Sequence, residues 1–264
     1  FYDYCGRKCS TKQCGHSSRI PTCKTSGCNR ACHPSPGGGY FDYCNRTCAS
    51  NHLSVPNTPT SNSVTLELSN KHDIQQQFLD KWIHQDKPKP TVVAILKVNL
   101  PAGPKKRFMD YQESIHSKRG PSCVNGHGSK GNTHRRFHGT GVNCDLGHSS
   151  RNYKLCSDSL CVVCSILKQG FLLSHANSNI RWGRFGKGLY FSSTSSKSRD
   201  YCRSSSNLYA MFVAHVVIGK AHKLYQDAPD LTSPPNSCDS VLGEVGVSLN
   251  YDEVVTYNDA SAVR

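Results

Sequence analysis

The stretch FGKGLYFSSTSSKSRDYC, residues 185–202, decides the fold of this chain. Its two glycines, Gly186 and Gly188, indicate a turn on their own, since glycine tolerates backbone conformations that other residues avoid. Two other segments belong with it, RRFHGT at 135–140 and SLNYDEVVTY at 248–257. Taken singly, a histidine before a glycine is usually structural, and a glutamate at the start of a strand is usually a solvated charge. Their order along the chain and their combined amino-acid sequences are more informative than any one of the three segments.

Together the three segments resemble the catalytic domain of the poly(ADP-ribose) polymerases. That family has an HGS or HGT strand, then FGxGIYF followed by an SSKS run and a tyrosine, then a YxEY-like strand that bears a glutamate. All three occur here in that order over residues 65–264, and FGKGLYFSSTSSKS is the most specific. The cysteine-rich chain is also similar to a fungal subgroup of the family. The resemblance implies an α+β ADP-ribosyltransferase fold of two packed antiparallel sheets with flanking helices.

The resemblance also implies an activity, the transfer of ADP-ribose from NAD to an acceptor with release of nicotinamide. The catalytic triad would be His138, Tyr190 and Glu253. Gly139 and Ser198 would hold the nicotinamide carboxamide, and Tyr201 would stack on the nicotinamide ring. The residues expected to bind NAD are therefore His138, Gly139, Thr140, Tyr190, Ser198 and Tyr201. The glutamate favours elongation of chains, because family members that add single units often replace it.

The chemistry of this transfer suits these residue types. Breaking the nicotinamide–ribose bond develops oxocarbenium character, and a nearby carboxylate stabilises that charge as it forms. The nicotinamide ring of NAD carries a positive charge, so stacking on an aromatic side chain is favourable beyond the area it buries. A carboxamide held by backbone groups and a serine is fixed in rotation, which sets one departure path for the ring. This step requires no metal.

The chain has fifteen cysteines, several in spacings that suit a tetrahedral metal better than a disulfide between near neighbours. One set follows the HGT strand directly. We expect Cys144, Cys156, Cys161 and Cys164 to bind a structural zinc ion as four thiolates, with His148 as a substitute ligand. The alternative interpretation is that these are ordinary core cysteines beside two apolar helical turns.

A repeat marks the beginning of the chain. FYDYCGRKC at 1–9 recurs as YFDYCNRTC at 40–48, so the chain would begin in the middle of a repeat. The second copy predicts a zinc site formed by Cys23, Cys28, Cys44 and Cys48. Ligands of a further site, drawn from Cys5, Cys9, Cys14 or His16, cannot be assigned from the sequence.

Composition changes divide the chain into three parts. Residues 1–49 are predicted to be zinc-binding repeats, residues 50–63 a linker rich in Ser, Asn, Thr and Pro, and residues 64–264 the catalytic domain. Within that domain the apolar pattern predicts a helix in the segment 69–85, ended by Pro88, and a buried strand over 91–100. A helix over 105–115 and strands over 209–219 and 252–257 follow the same rules.

The chain carries a net charge of +14. Such an excess attracts nucleic acid, and an ordinary solvated basic surface is an equally good explanation. No run of eighteen apolar residues occurs, so we expect no segment that spans a membrane and no membrane partner. Because the cysteine spacings favour zinc over disulfides, which need an oxidising compartment, we expect an intracellular protein, nuclear or cytoplasmic. Two other functions remain as alternatives. The first is a zinc-dependent module that binds nucleic acid or protein, with a transferase domain that binds NAD without turnover. The second is a secreted cysteine-rich toxin.

Overall fold

The computed structural model describes residues 20–23, 30–35, 38–42, 44, 63–120, 129–148, 153–176, 183–235 and 237–264. The chain divides into two compact units, residues 1–60 and 61–264. The division falls inside the segment 50–63, which the sequence predicts to be a linker. The two units are described separately below.

The described part of the first unit is organised by short backbone bridges. Thr22 pairs with Ala31 and Pro34 pairs with Tyr40, both in antiparallel fashion. Cys23, Cys32 and Cys44 are buried together there, and the backbone N–H of Cys44 donates to the Cys23 sulfur at 3.4 Å. Cys28 and Cys48, the other two predicted ligands, lie outside the described residues, so this zinc site stays a prediction.

The second unit mixes helices and strands, as an α+β domain does. Its helices are α1 (His72–Asp80), α2 (Ala102–Arg119), α3 (Val162–Gln169) and α4 (Ser195–Arg199). Its first strands are β1 (Thr65–Leu68), β2 (Leu96–Asn99), β3 (Thr133–Gly139), β4 (Gly141–Val142), β5 (Leu189–Phe191) and β6 (Arg203–Ser204). The remaining strands are β7 (Met211–Val217), β8 (Ala221–Leu224), β9 (Ser240–Gly243), β10 (Glu253–Thr256) and β11 (Ala262–Val263).

Two sheets position the site. One has the order β11-β7-β3 and the other the order β5-β10-β9-β8. An isolated bridge between Phe137 of β3 and Ser192, just after β5, joins them through two backbone hydrogen bonds of 2.8 and 3.0 Å. The prediction of purely antiparallel sheets is wrong in detail, because β8 pairs with β9 and β4 pairs with β6 in parallel.

The segment before β2 departs from the sequence prediction for a tertiary reason. The apolar spacing extends the first helix past Trp82, but α1 ends at Asp80. Beyond it, the backbone N–H groups of Ile83 and His84 donate to the Ser196 hydroxyl at 3.1 and 3.3 Å. These bonds replace the ones that another helical turn would make. Likewise, only Leu96–Asn99 of the predicted strand 91–100 pairs as a strand.

The core between the sheets and α3 is apolar and continuous. Phe191, Val216 and Val254 from the strands pack in one cluster with Val163 and Leu167 from α3. This cluster packs β5, β7 and β10 against α3, and the ends of β3, β5 and β10 meet on one side of it. Among the helices that the structure describes, none has both the length and the apolar character needed to span a bilayer.

Candidate active site

A cleft of about 770 Å³ opens where these strand ends meet. Its volume is in the range of pockets that hold small molecules and cofactors. Every residue that the sequence assigns to the triad or to NAD binding lines this one cleft: His138, Gly139, Thr140, Tyr190, Ser198, Tyr201 and Glu253. Residues from three distant segments of the chain therefore converge as the resemblance implies.

His138 lies at the end of β3 with its ring fixed on both sides. Its Nδ1 is 2.9 Å from the Tyr190 carbonyl oxygen, which can only accept, so Nδ1 carries the hydrogen and Nε2 is left as an acceptor. Phe171, Phe191 and Phe212 surround the ring at centroid distances of 5.2 to 6.4 Å. Burial lowers the pKa of His138, and the bond to Tyr190 opposes this effect. With Nε2 as an acceptor, the neutral imidazole suits a ligand hydroxyl group that donates a hydrogen bond.

Position 139, directly after His138, requires glycine because a larger residue does not fit there. A Cβ atom there would stand 1.8 Å from the Ser198 carbonyl oxygen, which is backbone and cannot turn away. The Ser198 hydroxyl in turn donates to the Phe137 carbonyl at 3.3 Å. α4 therefore packs directly on the end of β3, and the backbone groups of Gly139 stay open to the cleft.

Tyr190 of β5 fixes the turn before its own strand. Its hydroxyl donates to the Gly186 carbonyl at 2.7 Å and accepts from the Phe185 N–H at 3.0 Å. Gly186 has a φ of +69°, a conformation that favours glycine. Tyr201, across the cleft, keeps about half of its surface exposed, so its ring is available for stacking.

Glu253 begins β10 and is buried, with only 6% of its surface exposed. Its Oε1 pairs with Lys197 Nζ at 2.7 Å, and Lys197 also donates to the carbonyls of Tyr251 and Asp252 at 3.3 Å. Burial lowers the pKa of Lys197, while the charge of Glu253 opposes that shift. The second oxygen, Oε2, is buried and makes no hydrogen bond to any residue that the structure describes. Buried acceptors are normally satisfied, so this atom is suited to a hydroxyl of a bound ligand.

Sequence reasoning missed Lys197 and Arg184 as cleft residues. Lys197 lies inside the SSKS run, three residues after Thr194, and this position does not indicate an ion pair with Glu253. Arg184 directly precedes the FGKG turn, and it holds Asp227 at 3.0 Å and the Ser248 carbonyl at 2.8 Å. The only available signal was the place of Lys197 within the family segment and of Arg184 directly before it.

The four cysteines after the HGT strand gather at one point. The sulfur atoms of Cys144, Cys156, Cys161 and Cys164 all lie within 4.8 Å of one another, so the group could hold a metal ion. Burial raises the pKa of Cys164. His148 is not part of this group, and its Nε2 lies 2.9 Å from the Ser206 hydroxyl instead. Its proposed role as a substitute ligand therefore finds no support in the structure.

The convergence of the three segments on one cleft is the arrangement expected of an ADP-ribosyltransferase type of domain. The family model described as the poly(ADP-ribose) polymerase catalytic domain matches residues 84–261. This match covers more than half of the chain, and the chain therefore belongs to that family.

Three relatives carry the name protein mono-ADP-ribosyltransferase PARP3. The chain is 40% identical over 85 residues to the protein of Gallus gallus, which is 31% of this chain and 15% of the relative. It is 33% identical over 121 residues to that of Mus musculus, 44% of this chain and 18% of the relative. It is 38% identical over 90 residues to that of Homo sapiens, 32% of this chain and 16% of the relative. The matches span less than a fifth of the length of each relative.

Proposed function

We propose that this chain transfers ADP-ribose from NAD to an acceptor and releases nicotinamide. The observation that carries the proposal is the buried, half-satisfied carboxylate of Glu253 in the same cleft as His138 and Tyr190. A carboxylate held by Lys197 at 2.7 Å keeps its orientation, and its Oε2 stays available to a ribose hydroxyl. Membership of the family supports the assignment.

Each cleft residue has a role in this proposal. The Gly139 backbone and the Ser198 hydroxyl hold the nicotinamide carboxamide, and Tyr190 and Tyr201 take the two faces of the ring. His138 Nε2 and Glu253 Oε2 accept hydrogen bonds from ribose hydroxyls. As the nicotinamide–ribose bond breaks, its electron pair leaves with nicotinamide and the ribose becomes positively charged. The fixed Glu253 carboxylate stabilises that charge without reorganising.

Two observations concern the number of ADP-ribose units that are added, and they point to different answers. The relatives bear the name mono-ADP-ribosyltransferase. The glutamate at position 253, by the family resemblance, favours elongation, and elongation is what we propose. The experiment is incubation with NAD labelled in its adenylate half, with protein and DNA acceptors, resolved by size. A ladder of products supports elongation, and one discrete product shows single-unit transfer. Label left on free NAD alone would contradict transfer altogether.

We also propose that the Cys144, Cys156, Cys161 and Cys164 group binds a structural zinc ion. Sulfur atoms bound at about 2.3 Å around one tetrahedral zinc ion lie about 3.8 Å apart. Cys144 Sγ is 3.7 Å from Cys161 Sγ and 3.6 Å from Cys164 Sγ, close to that value. A disulfide would need about 2.05 Å. The donor set of four thiols fits zinc, and the transfer step as proposed above uses no metal.

Nucleic acid is the partner that we propose for the first unit. Residues 1–52 hold seven Lys or Arg against two Asp, next to aromatic clusters at 1–4 and 40–43. Basic and aromatic side chains on a small scaffold suit phosphate contact and base stacking. Binding should fall steeply with added salt and weaken when residues 1–50 are deleted, while nicotinamide release continues. Unchanged affinity after the deletion would contradict this role.

A further inference from the structure

α3 has three faces with different surroundings. Cleft-facing residues recur at helical spacing: Val162, Ser165, Ile166 and Gln169. Val163 and Leu167 point into the apolar core and are 2% and 3% exposed. Cys161, at the start of the helix, and Cys164, one turn later, belong to the cysteine group. One short helix thus joins the core, the cleft and the metal-binding thiols.

The residues beside the thiols line the cleft as well. Asn143 immediately precedes Cys144, Leu160 immediately precedes Cys161, and both line the cleft. The Asn143 backbone N–H donates to the Cys161 sulfur at 3.4 Å, and its side chain donates to the Leu160 carbonyl at 3.3 Å. The cysteine group is therefore continuous with this part of the cleft.

The four sulfur atoms also join three separate segments. Cys144 follows β4, Cys156 lies in the stretch 153–160, and Cys161 and Cys164 begin α3. Thiol groups hydrogen-bond weakly, so without an ion they tie these segments loosely. Bonds from one ion to four sulfurs would instead fix the three segments at a single point, and structural zinc adds directly to folding free energy.

α3 and the segments that flank it, with Asn143 and Leu160, form one wall of the cleft. In the proposed function the nicotinamide end of NAD is held at Gly139 and Ser198. In the same proposal, the rest of the dinucleotide extends along the remaining cleft, whose lining includes Asn143, Leu160 and the α3 face. A wall that shifts when the metal is lost would weaken contact with this half of NAD. It should move the nicotinamide end and Glu253 less, because they stand on β3, β10 and α4 and not on the segments that carry the four cysteines.

We infer that a zinc ion held by Cys144, Cys156, Cys161 and Cys164 sets the affinity for NAD by fixing the wall formed by α3 and its flanking segments. The ion acts on substrate binding and takes no part in bond breaking. This inference rests on the proposed function for the identity of the ligand. Removal of the zinc ion would therefore raise the NAD concentration at which the protein reaches half of its maximal rate.

The test uses the full chain with Cys144→Ser, a half-buried ligand position. We expect one zinc equivalent less per chain, a KM for NAD raised by about tenfold, and kcat changed by less than about twofold. Inhibition by free nicotinamide should stay unchanged, since it occupies only the other end. Cys238→Ser, outside the group, is the matched control and should keep all three values. Cys144→His restores a zinc ligand and should return KM towards that of the unsubstituted chain.

The possible outcomes of the Cys144→Ser experiment separate failure of the zinc inference from failure of the proposed function. Zinc lost from Cys144→Ser with KM unchanged would overturn the inference, and so would zinc content that does not change. A general loss of folded protein would lower kcat and leave KM unchanged, which also contradicts it. If Cys144→Ser does not fold, chelation of the unsubstituted chain followed by zinc addition should raise and then restore KM. If the unsubstituted chain releases no nicotinamide, the proposed function fails, and calorimetric NAD binding with and without zinc still decides the inference.

Discussion

The two walls of the cleft are built in different ways. The strand wall, made of β3, β5, β10 and α4, is fixed by backbone contact and buried hydrogen bonds. Gly139 leaves no room for a Cβ against Ser198, and Lys197 pairs with Glu253 at 2.7 Å. The helix wall, made of α3 and the segments that flank it, gathers instead around four sulfur atoms. Displacing the strand wall means displacing backbone, whereas the helix wall depends on what the sulfurs bind.

This difference between the walls separates the residues proposed for bond breaking from those proposed to set the affinity for NAD. The residues proposed to contact nicotinamide or the reacting ribose stand on the strand wall, with Tyr201 two residues past the end of α4. The helix wall carries none of the three family segments, and its cysteines come between two of them. Changes to the strand wall should therefore alter the rate of transfer, and changes to the helix wall should alter the NAD concentration that is required.

The largest effect is expected from Glu253→Gln. The substitution keeps the shape and removes the charge that stabilises the ribose cation, so kcat should fall by about 100-fold to 1,000-fold. NAD binding, measured by calorimetry, should change little, because the amide oxygen still accepts a hydrogen bond. Glu244→Gln is the control, since Glu244 pairs with Lys223 away from the cleft. An unchanged kcat in Glu253→Gln would remove Glu253 from the mechanism.

Gly139→Ala should come next. The added Cβ would meet the Ser198 carbonyl oxygen at 1.8 Å, so α4 or β3 must move at the carboxamide site. A misplacement of about 1 Å costs on the order of 100-fold, and we expect a loss of that size in kcat/KM. Gly141→Ala, where the nearest atom stands 3.9 Å from the new Cβ, is the matched control. Equal losses in the two variants would contradict the role of close packing at Gly139.

Lys197→Met tests the pair that orients Glu253. Removing one partner of a buried ion pair leaves an uncompensated charge, so the free energy of unfolding should fall by about 3 kcal/mol. We also expect kcat to fall by about tenfold, since the carboxylate loses one of its anchors. Lys223→Met removes the surface pair with Glu244 and should have a much smaller effect on denaturant midpoints. Similar midpoints for both variants would show that the Lys197 pair is not a structural anchor.

The smallest effect concerns pH. Burial depresses the pKa of folded His138 below the ordinary value of 6.5, so below that pH the unfolded chain binds a proton that the folded chain does not. Stability should therefore fall as pH drops from 6.5 through the folded pKa. His134 and His215 are shifted in the same direction, also by burial. His138→Asn should reduce the difference in thermal midpoint between pH 5.5 and 7.5 without abolishing it. An unchanged difference would show that His138 does not contribute.

The sequence predicted the strand wall better than its surroundings. The segments around His138, Tyr190 and Glu253 contain the sequence motifs of the family, and the structure brings them into one cleft. Sequence spacing could not show that Lys197 reaches Glu253, because that contact depends on how α4 packs on β10. For the same reason the early end of α1 was not predictable, since Ser196 takes the backbone hydrogen bonds that would continue the helix.

The most direct measurement is the amount of nicotinamide released from NAD, compared with the amount of ADP-ribose attached to acceptors in the same reaction. The account predicts saturable release by the full chain and transferred ADP-ribose that accounts for a measurable share of it. Both signals should fall together in Glu253→Gln. Bound NAD with no nicotinamide above the heat-denatured control would contradict the account and leave the domain as a binding module.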